Sequence, residues 1–360
     1  MKLYLISGED SGDMHGANLV KALRSKLSDL DVRGVGGDRL LAEGMETVAH
    51  VRDINFMGFA EVVQHLGTIR KLFRTVEADI EAWKPDVVVL VDYPGFNLRM
   101  AAFIKKLGIP VVYYISPQVW AWKKNRVKKI RRFVDKMLVI LPFEANFYEK
   151  EGVEADFVGH PLLDEIGEVK RNKPGKPTIA LLPGSRKQEI QRLLPAMRDL
   201  PTRFPDFRFV IAGAPSQTEE FYHNLLPPDS PIELKMNQTY ALLREADYAV
   251  VASGTATLET ALFQVPEVVI YRGSGLSVWL AKRLVKVPYI SLVNLIMDRK
   301  LVTELIQRDC TPGRITQELQ LMMQPAERET MLNGYEELRI KLGDAGASEN
   351  AAQSILKLIE

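Results

Sequence analysis

The sequence predicts two Rossmann-like α/β domains facing one cleft, because the same opening occurs twice. Residues 3–7 (LYLIS) read as a buried strand that runs into the loop GEDSGD and then a helix over 16–27. Residues 178–182 (TIALL) do the same, followed by PGSR and a helix over 186–204. Each opening leads into its own alternation of apolar runs and amphipathic stretches, which is how a parallel sheet with crossover helices is written. Such an architecture suits a reaction between two substrates, one held by each half.

In the first half, strands are expected at 3–7, 32–36, 46–51, 86–92, 110–116, 136–142 and 155–159. The runs VVVLV (87–91) and VVYYI (111–115) are apolar at every position, as in strands covered on both faces. Helices fall between most strands, notably over 59–83, 96–107 and 120–134. The stretch 163–177 is polar and carries Pro174, Gly175 and Pro177, so it reads as a linker between a domain of residues 1–163 and a domain of residues 178–340. The second half gives strands near 178–182, 207–212, 232–236, 248–252, 267–271 and 289–293, with helices over 186–204, 218–226, 239–246, 254–264 and 275–285. The tail, 299–360, is mostly helical.

A chain of 360 residues can bury two proper cores. Its net charge of +1 provides no global field for nucleic acid, so any basic site must be local. The single cysteine, Cys310, excludes an internal disulfide framework or a thiolate metal site and fits a reducing cytoplasm. The start, MKLYLISGED, is too short in its apolar run and too soon acidic for a signal peptide. No apolar stretch reaches spanning length, which leaves surface attachment as the open route to a membrane.

The residues with chemical potential lie where strands hand over to helices. At Gly184, Ser185 and Arg186, free N–H groups, a helix dipole and a forked cation can meet an anion. A second loop, Ser253-Gly254-Thr255-Ala256-Thr257, follows the strand YAVVA, and Glu259 sits one turn into the helix it opens, where a carboxylate can accept from ribose hydroxyls. Either loop alone is also a plain capped turn; two in one half favour a nucleotide diphosphate. Neither has Walker spacing. The first loop lacks a regular G-x-G-x-x-G but offers Glu9, Asp10, Asp13 and His15 at a strand end. Asp92 ends the strand DVVVLVD, where a carboxylate can act as general base or simply cap the helix that begins near Phe96. The five histidines have no metal-ligand spacing, His160 reads as a packing residue near the domain crossover, and Asp29-Leu30-Asp31 reads as a solvated turn, so no metal or other cofactor is implied.

Two stretches could face lipid. In WAWKKNRVKKIRRFVDK (120–136), Val127, Ile130, Val134 and Met137 recur on one helical face, while Trp120, Trp122, Lys123, Arg126 and the further lysines and arginines suit an anionic surface or a phosphorylated substrate. A solvated basic face is the plainer reading, and nucleic acid ranks third because no other basic patch supports it. The segment 56–76 carries Met57, Phe59, Val62, Leu66, Ile69, Leu72, Phe73 and Val76 as an apolar stripe, which is either core or an acyl-chain surface.

Taken together, these stretches resemble the lipid-A-disaccharide synthases of Gram-negative bacteria over nearly the whole chain. The motifs are SGEDSGD (7–13), MGFAEV (57–62), DYPGFN (92–97), ISPQVWAWKKNRVKKI (115–130), VGHPL (158–162), LLPGSRKQEI (181–190), SGTATLE (253–259) and ISLVNLI (290–296). The resemblance implies a metal-independent, inverting glycosyltransferase of the GT-B type. It would join UDP-2,3-diacylglucosamine to 2,3-diacylglucosamine 1-phosphate (lipid X), giving the β(1→6) disaccharide 1-phosphate and UDP. It implies Asp92 as base for the acceptor hydroxyl, with Glu9 of the first loop as the competing catalytic carboxylate. It assigns Gly184, Ser185, Arg186, Ser253, Gly254, Thr255, Thr257, Glu259 and Asn294 to UDP, and Met57, Phe59, Val62, Trp120, Trp122, Lys123 and Arg126 to lipid, acceptor or membrane. Asn294 would lie in a loop that is less rigid here, because the family often has Pro where this chain has Val293. The resemblance further implies a cytoplasmic protein, monomer or homodimer, peripheral to the inner membrane, whose final helix (341–360) packs back on the first domain. Rival readings are a GT-B enzyme acting on UDP-GlcNAc, either a 2-epimerase or the peptidoglycan transferase, and a non-catalytic nucleotide-sugar-binding protein.

Overall fold

The computed structural model describes residues 1–53, 66–120, 124–171, 175–273 and 288–359. The chain divides into two compact units. Unit 1 comprises Met1–Glu165 and Leu342–Glu360, and unit 2 comprises Ile166–Lys341.

Unit 1 is built on a seven-stranded sheet in the order β3-β2-β1-β4-β5-β6-β7. Its strands are β1 (Lys2–Ser7), β2 (Asp31–Gly36), β3 (Glu46–His50), β4 (Val87–Val91), β5 (Val111–Tyr114), β6 (Lys136–Val139) and β7 (Ala155–Phe157), all paired in parallel. Successive side chains of a strand point to opposite faces. Tyr4, Ile6, Val88, Leu90 and Tyr113 accordingly enter one core, and Leu3, Leu5, Val87, Val89 and Tyr114 the other. All five side chains of β4 have no exposed surface. At Gly34 (φ +147°) a side chain would press within 1.9 Å of the Leu5 carbonyl, so β2 can pair beside β1 there only as glycine.

The helix Leu66–Trp83 sends Leu72, Val76 and Ile80 into the first core, and Phe73 stacks on Phe96 with ring centroids 4.1 Å apart. Leu72, Phe73 and Val76 of the 56–76 stripe are therefore core packing rather than an acyl-chain surface. Met57, Phe59 and Val62 lie outside the described residues, as do Trp122, Lys123 and the helix expected over 275–285. The basic stretch starts its helix later than expected: a 3-10 turn at Lys124–Arg126 leads into Val127–Phe133. Val127 and Ile130 are buried, whereas Met137 reaches the core from β6 instead of from that helix.

The last helix, Ala347–Ile359, belongs to unit 1. Ala351, Ala352 and Ile355 are fully buried beside Leu19, Val20 and Leu23 of the helix Asp10–Lys26. Asp164 accepts from the backbone N–H groups of Gly346 and Ser348 at its start, and Asn350 donates to the Val158 carbonyl at 3.1 Å.

Unit 2 carries a six-stranded parallel sheet in the order β10-β9-β8-β11-β12-β13. The strands are β8 (Thr178–Leu182), β9 (Arg208–Gly213), β10 (Glu233–Met236), β11 (Tyr248–Ala252), β12 (Glu267–Tyr271) and β13 (Thr303–Ile306). The strand expected at 289–293 does not exist. Ser291 caps the helix Leu292–Met297, its hydroxyl accepting from Asn294 N–H, and the sixth strand is 303–306. The apolar run YISLV suits either structure, and the capping serine decides it. The stretch 163–177 is not a free tether as far as Arg171, whose guanidinium donates to the carbonyls of Ala246, Phe263 and Gln264 in unit 2.

Replacing Ile355 by Ala should cost about 2–5 kcal/mol, the range for truncating a fully buried aliphatic side chain. Chemical denaturation should show the lower midpoint in unit 1. A loss below ~0.5 kcal/mol would mean that the last helix is not part of that core.

Candidate active site

In an open parallel sheet, ligands settle beyond the strand C-termini where the strand order reverses. That point lies between β1 and β4 in unit 1 and between β8 and β11 in unit 2. The chain leaves β1 into Gly8-Glu9 and β4 into Asp92-Tyr93, so the topology alone brings the two candidate catalytic carboxylates to one crevice.

Asp92 is held in an expensive conformation. Both Asp92 (φ 43°) and Tyr93 (φ 45°) have left-handed backbone, which disfavours residues with a Cβ. Asn97, completely buried in the first turns of the helix Pro94–Ile104, donates from Nδ2 to the carbonyls of Asp92 (2.8 Å) and Val91 (3.1 Å). The Tyr113 hydroxyl also donates to the Asp92 carbonyl, and Asp92 N–H donates to Tyr114 O at 3.1 Å. The Tyr93 ring lies against Gly8, where any side chain would come within 2.3 Å of it. Burial, and secondarily the negative charge of Glu9, push the Asp92 carboxyl up to about 7, against the smaller opposing pulls of the Tyr93 N–H and Arg126. The same burial and the same Glu9 raise the Tyr93 phenol. Asp92 is therefore a carboxyl that exchanges its proton near neutral pH, as a general base requires.

The helix expected over 16–27 already begins at Asp10, so Asp10, Asp13 and His15 lie in its first turns rather than in a loop. Asp13 is buried and accepts from the backbone N–H groups of Gly37 (2.6 Å), Arg39 (3.0 Å) and Leu40 (3.3 Å), capping the helix Asp38–Ala42. Burial lowers His15 to about 4 and His160 to about 3, and the Nδ1 of His160 accepts from Leu162 N–H at 3.2 Å. Trp120, expected to meet lipid or acceptor, is half-buried, and its indole N–H donates to Glu144 at 3.0 Å. Sequence reasoning missed Glu144. It is 1% exposed, burial pushes it up to about 7, and it also accepts from Leu141 N–H at 3.1 Å. Its position three residues past Leu141, just before a helix start, was the available signal. Arg126 is half-buried and its charge is felt at Asp92, so it belongs to the surroundings of the carboxylate.

In unit 2 a pocket of about 300 Å³ lies at the switch point, lined by Gly184 and Ser185 after β8, Ala214 after β9, and Ser253, Gly254, Thr255 and Glu259 after β11. Glu259 Oε1 accepts from the Tyr240 hydroxyl at 3.0 Å. Gly184 (φ +106°) leaves room for the carboxylate of Glu189, which would lie 2.2 Å from a Cβ at that position. Burial raises the pKa of Glu189, against smaller opposing pulls from the Arg186 charge and from the Ser185 and Arg186 backbone. The Glu189 carboxylate thus stands beside the strand-to-helix turn at PGSR. The start of the helix Thr255–Leu262 has Gly254 as N-cap and no side-chain cap.

Three expected UDP ligands sit differently. Thr257 is completely buried and donates to the Gly254 carbonyl at 2.8 Å, shaping the loop from beneath. Arg186 is exposed at the N-cap of the helix Lys187–Met197 and does not line the pocket. Asn294 is completely buried, and both halves of its amide are engaged. Oδ1 accepts from Leu301 N–H (2.7 Å) and Val302 N–H (2.9 Å), and Nδ2 donates to Val302 O (2.9 Å) and Glu304 (2.9 Å). Its amide has nothing left for a nucleotide. The segment around Val293 is a capped helix, not a loosened loop.

Comparison with known proteins now decides the family. The family model described as lipid-A-disaccharide synthetase matches residues 3–358. The chain belongs to this family. It is 41% identical to the lipid-A-disaccharide synthase of Myxococcus xanthus over 99% of this chain and 97% of that protein. It is 39% identical to that of Coxiella burnetii, over 99% and 98%. Among solved structures it resembles the UDP-GlcNAc 2-epimerase of Neisseria meningitidis bound to UDP-GlcNAc (TM-score 0.70, 14% identity, 99% of this chain and 100% of that one). It also resembles the glycotransferase of kitacinnamycin (TM-score 0.68, 14% identity, 100% and 99%). At such identities these likenesses establish the fold, which is GT-B.

The Asp92 carboxyl yields a signed prediction. With a folded pKa of about 7 against an ordinary 3.8, it keeps a proton that the unfolded chain has released, so its ionisation costs stability as pH rises from about 4 through 7. Asp92→Asn should melt close to the parent at pH 4 and increasingly above it towards pH 8. A melting difference independent of pH would remove the shifted carboxyl from the account.

Proposed function

We propose that this member of the lipid-A-disaccharide synthetase family joins UDP-2,3-diacylglucosamine to lipid X, with Asp92 as the general base. The chain is a glycosyltransferase of lipid A disaccharide formation, and its substrates are a nucleotide sugar and a lipid. The observation that carries the base assignment is the carboxyl of Asp92 at the unit 1 switch point, lifted to about 7 by burial and by Glu9. Glu9 is the neighbouring charge that adds to the effect of burial.

Unit 2 carries the donor. The open amides at the start of Thr255–Leu262, with the helix dipole behind them, offset the charge of the diphosphate as it leaves, and Arg186 adds its cation from the rim. Glu259, oriented by Tyr240, accepts from the ribose hydroxyls. The acceptor 6-hydroxyl attacks the anomeric carbon from the face opposite the leaving UDP, inverting it. Asp92 takes the proton late, as positive charge grows on the attacking oxygen.

The lipid substrates favour attachment at a membrane surface. Lys128, Lys129, Arg131 and Arg132 are exposed or half-exposed around the helix Val127–Phe133, with a charge suited to anionic headgroups. Among the described residues no helix is long and apolar enough to cross a membrane.

The test is UDP release by the purified chain given UDP-2,3-diacylglucosamine with and without lipid X. Release that needs lipid X, with a disaccharide phosphate detected by mass, is expected; release without lipid X would indicate an epimerase-like or hydrolytic reaction instead. Asp92→Asn should lower kcat by about 10²–10⁴ while UDP still binds. The parent's kcat/KM should rise with pH through about 7, because only the ionised carboxylate accepts a proton. Near-parental turnover in the variant would end the base assignment.

A further inference from the structure

We infer that Glu304 is a positioning residue for the nucleotide pocket, acting through the carbonyl of Ile290 and the hydroxyl of Ser253. The inference deepens the donor-site reading above and rests on it.

Ser253 lines the pocket and is fixed from two directions. Its backbone N–H donates to the Ile270 carbonyl of β12 at 3.0 Å, and its hydroxyl donates to the Ile290 carbonyl at 2.9 Å. The first partner is a sheet residue. The second belongs to no strand or helix, so something else must hold it.

That anchor is Glu304 in β13. Its carboxylate accepts from Ile290 N–H at 3.0 Å, from Ser291 N–H at 2.9 Å, from the Ser291 hydroxyl at 2.8 Å and from Asn294 Nδ2 at 2.9 Å. Asn294 in turn ties the group to the backbone of Leu301 and Val302, one step before β13. Every group facing Glu304 in this cluster is a donor, so only a residue that accepts alone satisfies all of them. A glutamine would aim an NH₂ at one of these donors.

The path from Glu304 to the pocket is short and directional. A shift of Ile290 releases the Ser253 hydroxyl, and with it the loop whose next residues, Gly254 and Thr255, open the anion-facing helix. Asn294 then supports the pocket through Glu304 without contacting the nucleotide itself.

The experiment uses the full chain, with UDP as the probe in calorimetry and steady-state KM values for both substrates. E304Q should weaken UDP binding about tenfold or more and raise the donor KM, leaving the acceptor KM unchanged. Glu304→Asp, which keeps an acceptor-only group, should recover part of the affinity. If the route runs through Ser253, the double variant E304Q with Ser253→Ala should bind UDP no more weakly than the weaker single variant. Should E304Q fail to fold, Ser291→Ala removes one donor of the cluster and should weaken UDP by a smaller factor. Unchanged UDP affinity in E304Q, or in Ser291→Ala, overturns the inference. So do effects that add fully with Ser253→Ala, or a parallel rise of both KM values with lost melting cooperativity, the mark of a merely structural residue. Failure of UDP to bind the unsubstituted chain overturns both this inference and the donor-site reading. UDP binding without transfer affects the proposed reaction alone.

Discussion

Everything of chemical interest in this molecule depends on where the first strand of each half sits. β1 and β8 are interior strands, and the chain builds the sheet outward from each of them first on one side and then on the other. Parallel strands need crossover connections, and those keep one hand, so the two halves of each sheet send their helices to opposite faces. The strand ends beside that reversal are left uncovered. Loop residues after β1 and β4, and after β8 and β11, lie at that reversal. Asp92 and the Ser253 loop are both products of this one constraint, and neither needs its neighbours in sequence to be unusual.

Burial acts in two opposite ways on the carboxylates of this chain. Asp13, Asp164 and Glu304 each accept several backbone N–H groups, so removing them from water is offset and they serve as caps and clamps. Asp92 receives less compensation, with Glu9 adding repulsion, and its proton becomes hard to lose. The contrast is one of hydrogen-bond supply to the carboxylate, wherever in the fold it sits. It also explains why the left-handed backbone at Asp92 is tolerated. Asn97 and Tyr113 saturate its carbonyl, and the helix that begins at Pro94 locks the turn from the other side.

The sheet was legible because its signal is crude and strong. Runs such as VVVLV have only one use in a chain of this size, and the doubled opening set the two-unit division in view. What misled was apolar sequence without a period. YISLV could be strand or helix, and the decision lay with the Ser291 hydroxyl and the Glu304 carboxylate, two polar groups whose meeting across the chain no local pattern announces. The site divided in the same way. Gly184, Ser185, Ser253, Gly254, Thr255 and Glu259 could be placed from the strand-to-helix grammar and do line one pocket. Thr257 and Asn294 carry the right functional groups, but a hydroxyl or amide in a tight loop first satisfies the backbone beside it.

Glu189 shows how far this logic reaches. It stands three residues beyond the N-cap Arg186, the position from which a glutamate bends back to the N-cap amide. There its carboxylate lies beside the turn that its motif, PGSR, advertises as an anion site. A diphosphate there would meet that carboxylate, whereas the helix that starts at Thr255 has Gly254 as N-cap and no side-chain cap. The two loops are alike in sequence grammar yet unequal in electrostatics. In the proposed donor site the diphosphate is assigned mainly to the Ser253 loop, and the anchoring of that loop runs through Ile290 and Glu304.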